Sequence, residues 1–142
     1  MQTRIVAVGQ RITDWAQTAV TDYLSRFPRD FRVELREIRT EPRAGQTPAI
    51  DPDDFVVVLD EHGKDLTTMD LAKQFSRWRA DGETPVFVIG GPDGLSPEVK
   101  AKAKMTIRLS SMTLPHAFAR VMLAEQIYRA WSILAGHPYH RA

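Results

Sequence analysis

Two stretches of this chain leave no polar face. Phe55, Val56, Val57, Val58 and Leu59 follow one another without interruption, and so do Pro85, Val86, Phe87, Val88 and Ile89. Neither alternates with period two, so a strand made from either must be covered on both faces. Between them, Thr67 or Thr68 caps a helix in which Leu71, Phe75 and Trp78 share one side, and Asp81-Gly82 ends it. A covered strand, a helix and a second covered strand form the repeating unit of a parallel α/β sheet.

The same alternation runs through the rest of the chain. Arg4, Ile5, Val6, Ala7, Val8 and Gly9 make a strand-type run that ends on glycine. Thr13 then precedes a helical pattern in which Trp15, Ala19 and Tyr23 are spaced by four, and Pro28 stops it. Residues 31–39 alternate, with Phe31, Val33, Leu35 and Glu37 on one side and Arg32, Glu34, Arg36 and Ile38 on the other. A strand with one charged face belongs at a sheet edge. Residues 40–54, carrying Pro42, Gly45, Pro48 and Pro52, show no period and read as a loop that is long for a compact domain. Ser96, Pro97 and Glu98 open a short helix, residues 105–109 a short strand, and residues 116–134 a long helix closed by Gly136. The expected architecture is one α/β domain over residues 1–142, its mainly parallel sheet covered by helices on both faces.

Composition excludes several classes. The 142 residues contain no cysteine, which removes disulfides and thiolate metal sites. A net charge of +1 argues against a general polycationic nucleic-acid binder, so any RNA must be recognised by local patches and shape. No basic-then-apolar leader opens the sequence, and no window approaches the ~18 apolar residues of a membrane span. A cytoplasmic protein without a membrane partner is expected.

In open α/β sheets, ligands bind beyond the carboxyl ends of the strands. Three such ends stand out: residues 59–64, residues 90–95 with Gly90, Gly91 and Gly94, and residues 109–116. The glycine turn reads either as a close approach to a ligand or as a tight turn needing positive φ, and it matches neither the dinucleotide nor the phosphate-loop pattern. In the last segment Ser110, Ser111 and Thr113 supply hydroxyls, while Leu109, Met112 and Leu114 supply apolar walls. That mixture suits a flat, neutral, hydrogen-bonding ring such as adenine; the alternative is a polar turn in which Thr113 caps the next helix.

On the long helix, Phe118, Val121, Met122, Tyr128 and Trp131 mark a broad apolar face. Its width suggests a subunit interface. Glu125 lies within that face and Arg129 follows at i+4, either as a surface ion pair or as a pair at an interface or substrate pocket. The tail from His137 to Arg141 reads either as a frayed end or as a base-stacking, phosphate-contacting arm containing Tyr139, His140 and Arg141. With little apolar area to bury, its removal is expected to leave folding stability nearly unchanged. His137 and His140 lack a third ligand nearby, so no metal is expected, and His62 and His116 read as loop or cap residues.

These motifs together resemble the bacterial large-subunit ribosomal RNA methyltransferase H family, one of the knotted SPOUT methyltransferases. The resemblance rests on Val6-Ala7-Val8-Gly9, Tyr23-Leu24-Ser25-Arg26-Phe27-Pro28, Ile89-Gly90-Gly91-Pro92-Asp93-Gly94-Leu95-Ser96, Leu109-Ser110-Ser111-Met112-Thr113-Leu114-Pro115-His116, Tyr128-Arg129-Ala130-Trp131-Ser132-Ile133 and the tail. It implies a SPOUT-type α/β fold with a C-terminal trefoil knot, and a homodimer whose active site is completed across the interface. It also implies a reaction: methylation of N3 of a pseudouridine in large-subunit ribosomal RNA, on assembled ribosomes, with S-adenosylmethionine as methyl donor and no metal. By resemblance the methyl donor lies against Leu59, Gly90, Gly91, Leu109, Ser110, Ser111, Met112, Thr113 and Leu114. His140 would accept the imide proton and Arg141 stabilise the developing oxyanion, with Tyr139 stacking on the base and Glu125 and Arg129 organising the pocket. A related enzyme acting on transfer RNA or a ribose hydroxyl, and a non-catalytic ribosome-binding module, are the rival expectations. One departure is plain: family members carry a helix where this chain has the Pro-rich residues 40–54.

Overall fold

The run from Phe55 to Leu59 and strand Pro85–Ile89 lie side by side in the middle of a five-stranded sheet, where both faces are covered. The computed structural model describes residues 1–9, 12–38, 50–91 and 94–141. In chain order the elements are β1 (Gln2–Val8), α1 (Asp14–Leu24), β2 (Arg32–Ile38), β3 (Phe55–Asp65), α2 (Thr68–Ala80), β4 (Pro85–Ile89), α3 (Pro97–Ala101), β5 (Met105–Arg108) and α4 (His116–Ala135). The strand order is β2-β1-β4-β3-β5 and every pairing is parallel. The charged strand β2 takes one edge, as its alternation predicts. Most of the Pro-rich segment, residues 39–49, lies outside the described residues.

Register aligns one layer of the core across the sheet: Leu35, Ile5, Phe87, Val57 and Met105 are successive partners. On that face Ile5, Val57, Phe87 and Ile107 pack against Leu71, Phe75 and Trp78 of α2 and Leu123, Ile127 and Ala130 of α4. Helix α1 joins this side, setting Ala16 and Val20 against Leu35 and against Ala117 and Val121 of α4. On the other face Val6, Val8, Val56, Val58, Val86 and Val88 pack with Leu95 and with Val99 of α3. Among the described residues both faces carry helices, but unequally: three helices on one side and the five-residue α3 on the other.

Two elements differ from the sequence expectation. Strand β3 continues to Asp65 instead of stopping near residue 60. Leu59 and Lys64 both face Ile107 of β5, so residues 60–63 form an irregularity in which Glu61 and His62 are exposed. Gly63 sits there because a Cβ would lie 2.5 Å from the Ile107 carbonyl carbon. The second difference is in α4. Its buried side holds Arg120, Leu123, Ala124, Ile127, Tyr128, Ala130 and Ser132, whereas Phe118, expected on that face, is 50% exposed. The helix is apolar almost all round, so its period does not single out the side that meets the sheet.

Helix α2 starts on a complete capping box: the Thr67 hydroxyl accepts from the Asp70 N–H at 3.0 Å, and the Asp70 carboxylate accepts from the Thr67 N–H at 3.2 Å. Thr67→Ala is expected to lower stability by about 1 kcal/mol in urea unfolding, with the slope unchanged. An unchanged midpoint would show that tertiary contacts alone hold the start of α2. Among the described residues no helix is long and apolar enough to cross a membrane.

Candidate functional site

Strands β4, β3 and β5 are neighbours, so the three strand ends singled out in the sequence converge. They bound an open cleft of about 700 Å³. Leu59, Gly90, Gly91, Leu109, Ser110, Met112, Thr113 and Leu114 all line it, as do Asp60, His62 and His116 from the same strand ends, and Lys100 and Arg108, which lie outside the segments the sequence singled out. Ser111 is exposed and is not among the lining residues.

The glycine turn forms the floor. Gly94 adopts φ +74° and its N–H donates to the Gly91 carbonyl at 2.9 Å. A Cβ on Gly90 would lie 2.7 Å from the Gly94 carbonyl carbon and 2.9 Å from the Leu95 nitrogen. Glycine is therefore required at position 90 by the chain's own close packing. Gly90→Val would disrupt the turn before any ligand arrived. The wall contributed by residues 109–114 is held by the Ser110 hydroxyl, which accepts from the Met112 N–H at 2.9 Å. Thr113 is not the helix cap; that position belongs to Pro115, which has no side-chain cap bond, and the Thr113 side chain lines the cleft instead. Met112, 76% exposed, stands at the rim.

Charges at the mouth are paired. Asp60 accepts from the His62 backbone N–H at 2.8 Å and faces Lys100 Nζ at 3.1 Å, and these two interactions hold its carboxyl below the usual range. Arg108 forms a bidentate pair with Asp65 at 2.6 and 2.8 Å. Deeper in, His116 Nδ1 lies 2.6 Å from the Gly90 carbonyl oxygen and Nε2 lies 2.9 Å from Arg120 Nη2. Arg120 Nη1 donates in turn to Glu37 at 2.8 Å. Burial pushes the His116 imidazole below the usual histidine range, more than the Gly90 contact raises it. The sequence signal for this chain of contacts was weak: a His-Arg pair at i, i+4 on the first turns of an apolar helix.

A second cluster gathers at the other end of α4. Arg129 Nε donates to Glu125 Oε1 at 2.8 Å. The Tyr139 hydroxyl donates to Glu125 Oε1 at 3.1 Å and lies 3.3 Å from the Tyr23 hydroxyl. The Arg129 guanidinium sits 4.8 Å over the Tyr139 ring, and its Nη1 is 3.3 Å from His140 Nδ1. Tyr139 meets Tyr128 edge-on at 4.6 Å, and His137 lies 5.4 Å from the Trp131 ring. The tail is thus docked on α4, contrary to an end with nothing to bury. Burial, then the Tyr23 and Glu125 contacts, push the Tyr139 hydroxyl well above its ordinary pKa, so it stays protonated and donating. The structure brings Glu125, Arg129, Tyr139 and His140 together, with Arg141 exposed beside them. None of these five residues lines the cleft.

Residues 1–140 match the family model described as "Predicted SPOUT methyltransferase". The chain belongs to the SPOUT methyltransferase family. This SPOUT methyltransferase is 51% identical to the ribosomal RNA large subunit methyltransferase H of Variovorax paradoxus, with 99% of each chain covered. It is likewise 51% identical, over 99% of both chains, to the protein of the same name from Acidovorax ebreus, and 47% identical over the full length of both to that of Bordetella avium. Among solved structures it superposes on a probable methylase family protein from Haemophilus influenzae with a TM-score of 0.66 and 11% identity, covering 99% of this chain and 70% of that one. A methylase family protein from Neisseria gonorrhoeae gives a TM-score of 0.55 at 11% identity, with 98% and 95% covered. At those identities the two structures speak for the fold of this SPOUT methyltransferase and for nothing finer.

Proposed function

We propose that this SPOUT methyltransferase transfers a methyl group from S-adenosylmethionine to N3 of a pseudouridine in large-subunit ribosomal RNA. It would work in the cytoplasm on assembled ribosomes, as a homodimer of one-domain chains carrying the C-terminal knot that the resemblance implies. The observation that carries the reading is the near-complete match, at about half identity, to proteins named for large-subunit ribosomal RNA methylation.

The cleft fits the proposed methyl donor. Leu59, Leu109 and Leu114 offer apolar walls, Ser110 and Thr113 offer hydroxyls, and the ionised Asp60 offers a counter-charge for a cationic ligand or an acceptor for ribose hydroxyls. When bound, S-adenosylmethionine supplies a methyl group on a sulfonium and needs no metal to be reactive. The chain must place the acceptor nitrogen in line with that methyl and take up the proton of an imide N–H. In the described arrangement Arg129 donates to His140 Nδ1, which puts the proton of the neutral ring on Nε2. His140 takes the imide proton at Nδ1 once that 3.3 Å contact opens on substrate binding. Arg141 stabilises the oxyanion that develops, Tyr139 supports the base, and Glu125 and Arg129 fix the tail.

The separation of the two clusters supports the dimer. The cleft and the tail cluster do not share a lining residue within one subunit, so one subunit's tail would serve its partner's cleft. Trp15 and Phe118 support such an interface: each is 50% exposed, and their rings lie 5.0 Å apart.

Mass spectrometry of ribosomal and transfer RNA from cells lacking the gene tests the substrate. One methylated pseudouridine in large-subunit RNA is expected to lose its methyl group and regain it when the gene is restored. An unchanged ribosomal RNA alongside a lost methyl on transfer RNA or on a ribose would replace this substrate. Calorimetry with S-adenosylmethionine that shows no heat would point instead to a non-catalytic binding module.

A further inference from the structure

The Glu37–Arg120–His116–Gly90 chain of contacts joins the edge strand β2 to the floor of the cleft through α4. The Arg120 side chain is 1% exposed, and a guanidinium only donates. His116 Nε2 must therefore accept from it, which places the imidazole proton on Nδ1 and directs that proton at the Gly90 carbonyl 2.6 Å away. Gly90 is the first residue beyond β4, and the turn it opens returns close enough for Gly94 and Leu95 to exclude a Cβ. We infer that His116 is a positioning residue for the methyl donor: its Nδ1–H clamps the Gly90 carbonyl and holds the glycine turn in the shape the ligand meets, while Arg120 and Glu37 hold the imidazole in the tautomer that can do so. This inference rests on the proposal that the cleft takes S-adenosylmethionine.

A consequence is a one-sided pH dependence. Protonated His116 would turn a second N–H toward the Arg120 cation. The groups facing it are Arg120 on α4, Glu37 of β2 behind Arg120, and, around the cleft, Asp60 and His62 from β3, Lys100 of α3 and Arg108 of β5. Burial lowers the His116 pKa, so Nε2 accepts from Arg120 at and above the ordinary histidine range; as pH falls below it that contact is lost, and repulsion from Arg120 drives the imidazolium, which keeps its Nδ1–H, out of its place against Gly90.

The test is calorimetric titration of the purified full chain with S-adenosylmethionine, using two opposed replacements. His116→Asn sets an amide N–H near the Nδ1 position but drops the acceptor for Arg120. His116→Gln sets a carbonyl oxygen near the Nε2 position but drops the donor to Gly90. The expected result is a Kd raised about tenfold for His116→Gln and no more than about threefold for His116→Asn, the scale of one hydrogen bond made or lost. Wild-type affinity is expected to weaken in acid, and His116→Asn to lose that dependence. Imidazole nitrogen chemical shifts of the unaltered protein give a second readout that needs no variant, and they should report the Nδ1–H tautomer. Equal weakening by both replacements, unchanged affinity with Gln, or an Nε2–H tautomer overturns the inference while leaving the cleft assignment standing. No binding by the unaltered protein overturns both.

Discussion

Removing residues 139–142 is expected to lower methyl transfer to ribosomes by about a hundredfold or more, the scale on which a positioned acid–base group acts. The tail's contacts add a second expectation, a loss of stability. Tyr139 meets Tyr128 edge-on at 4.6 Å, lies under the Arg129 guanidinium at 4.8 Å and donates to Glu125. Losing an aromatic pair and a hydrogen bond to a carboxylate should cost about 1–3 kcal/mol, a drop of several degrees in Tm. Point variants separate the two effects. Tyr139→Phe keeps the ring contacts and removes only the hydroxyl, so it should retain most of the stability. His140→Ala should slow the reaction about a hundredfold with little change in Tm if His140 takes the imide proton. Arg141 is exposed, so Arg141→Ala should slow the reaction without moving the Tm. A truncated protein that methylates at the full rate, measured on purified ribosomes, would remove the tail from the mechanism.

Legibility in the sequence followed the range of the interactions. The strand around Val57 and strand β4 showed themselves because a strand covered on both faces must be apolar at every position. The charged edge β2 was legible through its alternation. The continuation of β3 to Asp65 was not, because residues 60–63 are polar or glycine and the strand resumes only by pairing with β5, more than forty residues along the chain. The sheet-facing side of α4 was hidden by a helix that is apolar nearly all round.

For the site, strand ends and hydroxyl-bearing loops pointed to the cleft, and the resemblance supplied its chemistry. The contacts of His116 were out of reach, since Gly90 lies 26 positions away and the Glu37–Arg120 pair spans 83. The docking of Tyr139 was hidden for the same reason: Tyr23, one of its partners, lies 116 positions away. Gly90 is the instructive case. The sequence offered a ligand's close approach or a positive φ as the reason for the glycine turn, whereas at position 90 the atoms that exclude a side chain are the chain's own Gly94 and Leu95.

The separation of cleft and tail makes a sharp prediction about mixed dimers. One variant, Leu114→Asp, places a carboxylate in the wall of the cleft and should not bind the methyl donor. The other lacks residues 139–142. Each alone is expected to run at about a hundredth of the normal rate or less. When the two are unfolded together and refolded, random pairing makes about half of the molecules heterodimers. If each site takes its cleft from one subunit and its tail from the other, a heterodimer has one complete site and one doubly defective site. The mixture should then recover about a quarter of wild-type activity, well above either parent. If cleft and tail of the same subunit work together, no heterodimer contains a complete site and mixing restores nothing. Light scattering checks that both variants still dimerise, so that a silent mixture counts against the shared site and not against assembly. If both parents prove to be monomers, the dimer itself is refuted, and with it the reason for placing one subunit's tail over its partner's cleft.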